Sequence, residues 1–284
     1  MISKMVRLSG LTMLIREAIC RYKATIMMYH DPEPEIFETH LRYLKTHFNI
    51  ISLKLLSTAI IEGNWRKIPS KSLIITFDDG HQGNFLLLPV IEKYNIPVTI
   101  YACSQLIGTH RHFWFLDFPN HGKQLKTLTN SERLKRLFVM NGYQPEKEFS
   151  QRQALSIEEV LRMKEAGIDF QSHTRTHPIL TSCTDEECFK EIAGSKEELE
   201  NLLQTPISHF AYPGGNYKKR EMHYLQKFGY LSARSTDIGW NGPSTNIYAL
   251  KVMPISDDAT LNEMIAQLHG IFPFFRIIKK KISN

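Results

Sequence analysis

Apolar residues fall along this chain in two spacings. Short runs rich in β-branched, aromatic and aliphatic side chains occur at Thr25–Tyr29, Asn49–Ile51, Ser72–Phe77, Pro97–Ala102, Ile168–Ser172, Ser208–Ala211, Leu231–Ala233 and Ala249–Met253. Each predicts a strand. Between them the spacing becomes helical. Glu35–His47 puts Ile36, His40, Tyr43, Leu44 and His47 on roughly one face, and Asn84–Tyr94 leads into a strand. Ser156–Ala166 opens with Ser156 three residues before Glu159, the spacing of a capping box. Thr184–Gln204 is long and acidic, and Tyr217–Phe228 and Thr260–His269 stop before Gly229 and Gly270. Seven or eight strand–helix units in one chain of this size predict a single α/β domain, a closed barrel of parallel strands. Residues 108–140, rich in His, aromatic and basic side chains, break the rhythm and read as an insertion or lid. The expected boundaries are an amphipathic helix over 1–24, the barrel over 25–270 and a basic tail over 271–284.

Composition narrows the class without naming it. With 42% apolar and 23% charged residues among 284, the chain is an ordinary globular protein, which excludes disordered, collagen-like and coiled-coil classes. The net charge of +6 is partly local, since Arg276, Lys279, Lys280 and Lys281 crowd the C-terminus beside Phe272, Phe274, Phe275, Ile277 and Ile278. That tail suits peripheral contact with an anionic membrane surface; the alternative is a frayed, solvated terminus. No nucleic-acid recognition motif accompanies the charge, so no nucleic-acid partner is expected. Cys20, Cys103, Cys183 and Cys188 include no Cys-x-x-Cys pair, which suits a reducing compartment. Residues Met1–Cys20 carry no small-x-small cleavage site, and no run reaches the ~20 apolar residues of a membrane span. The expected location is the cytoplasm, peripheral at the inner face of the membrane.

In a parallel barrel, functional side chains follow the C-terminal ends of strands. Four places meet that condition: His30 after Tyr29, Asp78-Asp79-Gly80 after Phe77, His173 to His177 after Ser172, and Tyr212-Pro213-Gly214-Gly215 after Ala211. Adjacent carboxylates repel each other when buried, and a divalent cation removes that cost. Taken alone, Asp-Asp-Gly is also a common exposed turn, and among twelve histidines chance pairs such as His110/His112 are expected to be merely solvated. The combination says more. One Asp and two His make a donor set that leaves coordination positions open, as a catalytic metal requires, and a second Asp can serve as base.

Thr76-Phe77-Asp78-Asp79-Gly80 and Ser172-His173-Thr174-Arg175-Thr176-His177 resemble the first and second motifs of the polysaccharide deacetylases, the metal-dependent de-N-acetylases with the NodB homology domain in the fourth carbohydrate esterase family. Phe210-Ala211-Tyr212-Pro213-Gly214-Gly215 resembles the third motif, and the likeness runs from about Thr25 to about Met253. It implies a deformed (β/α) barrel of about seven strands, Asp78 as catalytic base, and Asp79, His173 and His177 as metal ligands. The implied cofactor is a divalent metal, Zn2+ first, with Co2+, Ni2+ and Mn2+ as alternatives. Tyr212, Pro213 and Gly214 would form the oxyanion and substrate side, with the donor N–H on Gly214 where relatives often have Tyr.

Two histidines compete for the acid that protonates the leaving amine. His30 matches the permuted motif order of the poly-N-acetylglucosamine deacetylases, and Leu268-His269 matches the usual order; the strand-end position favours His30. The chain also departs from the family. The Arg that opens the third motif is replaced by Phe210-Ala211, with Arg234 or Lys251 as possible substitutes, and Asp237-Ile238-Gly239-Trp240 only faintly echoes the fourth motif. Trp240 is then either a wall of the sugar groove or core. The implied substrate is an N-acetylhexosamine unit of a surface polysaccharide or its lipid-linked precursor. A non-catalytic glycan-binding relative and a non-haem iron oxygenase are the alternatives.

Overall fold

All eight expected strands are present in the computed structural model, which describes residues 10–118 and 121–271. They are β1 (Ala24–Tyr29), β2 (Asn49–Ile50), β3 (Ser72–Phe77), β4 (Val98–Ala102), β5 (Asp169–Ser172), β6 (His209–Ala211), β7 (Ser232–Ile238) and β8 (Leu250–Pro254). Seven of them end within a residue or two of the sequence-based bounds. The exception is β7, which runs on through Arg234, Ser235, Thr236 and Asp237. The sheet order is β1-β8-β7-β6-β5-β4-β3-β2, and β1 also pairs with β3, so seven strands close a ring and the two-residue β2 stays outside it. Pairing is parallel for β1–β3, β1–β8, β2–β3, β5–β6 and β6–β7. The fold is a deformed (β/α) barrel.

Helices follow from local signals. We label α1 (Leu11–Ala18), α2 (Pro34–His47), α3 (Leu53–Ile61), α4 (Leu88–Tyr94), α5 (Asn130–Asn141), α6 (Ile157–Glu165), α7 (Asp185–Leu203), α8 (Lys219–Lys227) and α9 (Leu261–Leu268). Thr129, Ser156, Thr184 and Thr260 each accept the N–H of the Glu three residues on, and each Glu bonds back, so four capping boxes fix the starts of α5, α6, α7 and α9. Helix α3, capped by Ser52, was not anticipated: its apolar positions, Leu53, Leu55, Leu56, Ala59, Ile60 and Ile61, are too dense to show a clear stripe. The stretch expected as an insertion holds the short helices Trp114–Asp117 and Gly122–Leu125 and then α5. The basic tail lies outside the described residues, apart from Ile271. No described helix is long and apolar enough to cross a membrane.

Packing divides the chain into two compact units. The first contains residues up to Phe77, Leu86–Thr99 and residues from Thr236 onward; the second contains Asp78–Phe85 and Ile100–Ser235. In the first unit β1 is buried along its whole length, and Tyr29, Phe37 and Phe77 form an aromatic cluster with centroids 5.3–5.8 Å apart. Thr76 donates its hydroxyl to the Met27 carbonyl at 2.8 Å, fixing β3 beside β1. In the second unit the 114–143 region has its own apolar centre of Trp114, Phe118, Leu125, Leu137, Tyr143 and Ile179.

Candidate metal and catalytic site

Within the second unit, the segments after β3 and β5 present one Asp and two His to a common point. After β3 the chain reverses through Asp79 (φ 71°) and Gly80 (φ 78°); after β5 it does so through Thr174 (φ 70°) and His177 (φ 60°). Left-handed backbone at non-glycine residues costs free energy and persists only where the surroundings hold it. Those supports are visible. The Cys103 N–H donates to the Asp79 carbonyl (3.2 Å), Leu155 N–H to the Gly80 carbonyl (3.0 Å) and His173 N–H to the Ala102 carbonyl (3.0 Å). The Thr174 hydroxyl accepts the His177 N–H at 3.0 Å.

Asp79, His173 and His177 are all buried, and their donor atoms lie within 4.8 Å of one another. Asp79 Oδ1 has no hydrogen-bond partner and sits 3.3 Å from both His173 Nε2 and His177 Nε2. His173 Nδ1 donates to the Ala211 carbonyl at 2.8 Å, so its Nε2 keeps the lone pair. Bonds of about 2.0–2.1 Å around a tetrahedral Zn2+ would space donors about 3.3 Å apart. An orphaned carboxylate oxygen at that spacing from two imidazole nitrogens fits a divalent ion. Electrostatics agree. Burial opposes ionisation of Asp79, but His177, His173 and His81 outweigh it and hold the carboxyl well below its usual range. Burial likewise drives the His177 imidazolium pKa down to about 3, which leaves the ring neutral and able to ligate.

Residues that sequence reasoning missed hold this set in place. His81 Nε2 donates to Asp79 Oδ2 at 3.0 Å, which turns Oδ1 toward the two histidines. Trp114 Nε1 donates to the His177 carbonyl (3.0 Å), and the Phe115 ring lies 4.5 Å from the His177 ring. Helix α7 supplies the strongest clamp. Glu191 accepts the N–H groups of Arg175 (2.7 Å) and Thr176 (3.0 Å) and the Thr176 hydroxyl (2.7 Å). Ser195 meets Ser172 at 2.7 Å, and Glu198 takes Arg175 Nε and Nη2 at 2.9 and 2.7 Å. Positions 191, 194, 195 and 198 form one helical stripe; a side chain at Gly194 would reach 2.8 Å from Arg175 Cδ.

The second aspartate has different company. Asp78 accepts a bond from Arg234 Nη2, and both side chains are buried. Arg234 faces Ala211 across the β6–β7 ladder, and its guanidinium lies over the Tyr101 ring at 5.1 Å. Of the two possible substitutes for the missing third-motif Arg, Arg234 is the one that contacts Asp78. Tyr212 is buried, stacks on Tyr217 at 4.9 Å and donates its N–H to the Arg234 carbonyl at 3.1 Å. Gly214 has φ 63°, and a Cβ there would come within 3.2 Å of Ile179 and 3.3 Å of Asn216. The left-handed backbone favours glycine here, and a larger residue would also need Ile179 and Asn216 to shift slightly.

The sequence pattern of the polysaccharide deacetylase family matches residues 66–233, more than half of the chain. The chain belongs to the polysaccharide deacetylase family. It is 25% identical over 245 residues, 82% of this chain and 72% of the relative, to the Bacillus subtilis (strain 168) protein described as "Putative polysaccharide deacetylase YxkH". Two solved structures share the fold. The Streptococcus pyogenes deacetylase PplD, in complex with acetate, superposes with a TM-score of 0.65 at 18% identity, covering 87% of this chain and 98% of its own. IcaB from Ammonifex degensii also gives 0.65, at 15% identity and with 87% and 97% covered.

The deacetylase pattern contains Asp78, Asp79, His173, His177 and Tyr212-Pro213-Gly214, and stops one residue before Arg234. The remaining sequence candidates lie in the first unit. His30 follows Tyr29, whose register partner is Phe77, the residue before Asp78. Its N–H donates to Asp257 Oδ1 at 3.0 Å. His269 ends α9 and is buried; its Nδ1 donates to the Ile265 carbonyl at 2.7 Å, and burial lowers its pKa to about 4. Trp240 packs against Gly270, next to Asn241, which bridges Ala24 at the N-terminal end of β1. Lys251 lies against Gly239 in the same neighbourhood.

Proposed function

We propose that this deacetylase-family chain is a metal-dependent de-N-acetylase that hydrolyses the acetamide of an N-acetylhexosamine unit. The observation that carries the reading is the convergence of Asp79 Oδ1, His173 Nε2 and His177 Nε2, with Asp78 paired to Arg234 beside them in the sequence. A divalent ion held by Asp79, His173 and His177, Zn2+ first, would supply Lewis acidity toward an acyl oxygen and toward water. Asp78, oriented by Arg234, accepts the proton of the attacking water. The Gly214 N–H donates to the carbonyl oxygen as charge develops on it. His30 gives a proton to the departing nitrogen as the amide C–N bond breaks, leaving acetate and a free amine. His269, buried and held neutral, is poorly suited to that task. Trp240, at the level of the first residue of β1, is left out of the substrate-facing set.

Acetate in the PplD complex supports an acyl-derived product, and the place of His30 directly after the C-terminal end of β1 supports it as the acid. The surface-polysaccharide or lipid-linked substrate and the cytoplasmic, membrane-peripheral location remain part of this proposal. Acetate release from free, nucleotide-linked, lipid-linked and polymeric N-acetylhexosamines, with and without chelator, tests it. Release that is abolished by chelation and restored by Zn2+ is expected. Glycan binding without release would instead mark a non-catalytic relative, and chelator-insensitive release would remove the metal from the mechanism.

A further inference from the structure

Helix α1 is amphipathic with its faces reversed. Thr12 is buried, and Arg16 turns inward to pair with Glu17 at 3.0 Å, while Glu17 also takes Lys71 at 2.9 Å. The apolar side chains point out: Leu14 is 67% exposed, Met13 59% and Leu11 43%, and Leu11, Leu14 and Ala18 share one stripe. A helix that spends its polar residues on the body of the protein and leaves leucines in water is built to be covered. Ile19 and Tyr22, 36% and 64% exposed, extend the apolar surface toward β1.

Charge identifies the cover. Residues 1–23 contain five cations (Lys4, Arg7, Arg16, Arg21 and Lys23) against one acid, Glu17, and that acid is already paired inward. Ile19 and Lys23 also border an apolar cavity of about 300 Å³ walled by Ile238, Trp240 and Met253, with Lys251 as its second cation. Among the described residues, neither Lys23 nor Lys251 has an ion-pair partner. Exposed leucines, an interfacial Tyr and unpaired cations around them are the complement of an anionic bilayer surface. We propose that α1 and the Cys20–Lys23 segment dock this protein on an anionic membrane. The segment feeds Ala24, so docking puts the N-terminal end of β1 near the bilayer, with His30 six residues farther along the chain, at most about 20 Å away.

The inference is independent of the proposed reaction, and sedimentation of the full chain with vesicles tests it. The chain should pellet with vesicles of phosphatidylcholine plus phosphatidylglycerol and not with phosphatidylcholine alone. The double variant Leu11→Glu/Leu14→Glu should weaken binding by roughly tenfold or more. Arg21→Gln/Lys23→Gln should weaken it and flatten its salt dependence. Val139→Glu, a change at an exposed apolar residue of α5, should bind like the parent. Unchanged unfolding transitions by circular dichroism check that the variants fold. Equal binding of the leucine variant, or no binding by the parent, overturns the proposal. So does loss of self-association rather than of vesicle binding in that variant, which would make the face a contact between copies.

Discussion

Each unit of this protein contains buried imidazoles, and they do opposite work. In the first unit His40 has both nitrogens occupied: Nδ1 meets the Tyr29 hydroxyl and Nε2 donates to the Ala259 carbonyl, each at 2.9 Å. Burial lowers its pKa, and the ring serves as a neutral strut between β1, α2 and the turn before α9. In the second unit His173 spends only Nδ1 on the protein, and its Nε2 and that of His177 converge on an oxygen of Asp79 that has no hydrogen bond. Burial and a lowered pKa are common to His40 and His177. Uncommitted lone pairs aimed at one point distinguish a ligand set from a strut.

That contrast predicts a crossed result, the largest effect expected here. His173→Ala or His177→Ala should remove bound metal and reduce acetate release to background, while unfolding stability changes less. His40→Ala should keep the metal but lose about 2–4 kcal/mol of stability, because Tyr29 Oη and the Ala259 carbonyl lose their partner. Metal analysis and chemical denaturation of the variants read both sides. Full metal occupancy after loss of either histidine would sink the assignment.

A second prediction compares the two candidate acids in the first unit. His30→Ala should retain metal and lose roughly 10²-fold in turnover. His269→Ala should remain within a few-fold of the parent, and the reverse outcome would restore the unpermuted motif order.

Next in size is Arg234. Arg234→Met should retain metal and lower kcat by roughly ten- to a hundredfold with little change in KM, and Arg234→Lys should recover part of the loss. A purely structural role would lower stability without that split between kcat and KM.

His269 gives the smallest effect at neutral pH and a visible one in acid. Its folded pKa, about 4, lies below the unfolded value of 6.5, so the unfolded state takes up the proton first. Its neutral form costs nothing above pH 6.5, and stability is lost as pH falls from there toward 4, by up to about 3 kcal/mol. His269→Gln should flatten that limb of the stability curve. An unchanged limb would place the ring in a more solvated setting than its burial implies.

The strands and the reactive turns were legible because both rest on local signals. Strands buried on both faces read as unbroken apolar runs, and Asp78-Asp79, His173 and Tyr212 each follow one directly. Capping pairs such as Ser156 with Glu159 located helix starts. What escaped notice depends on distant partners. The polar run Arg234-Ser235-Thr236-Asp237 concealed the second half of β7, whose Arg234 is buried because it faces Asp78. Glu191 and Glu198 looked like ordinary charges on a long acidic helix, and their partners in the 172–176 turn and at Ser104 and Gln105 come only from the packing of α7. His81 needed the geometry of the Gly80 turn before its contact with Asp79 could be seen.

The division of labour between the adjacent aspartates is the centre of this account, and metal content measured alongside turnover in Asp78→Asn and Asp79→Asn tests it most directly. The account predicts that Asp79→Asn loses the ion, because Oδ1 is its carboxylate donor. Asp78→Asn should keep the ion near parental occupancy while turnover falls roughly 10²–10⁴-fold, the contribution of a positioned base. Equal metal loss in both variants, or full activity in Asp78→Asn, would contradict it.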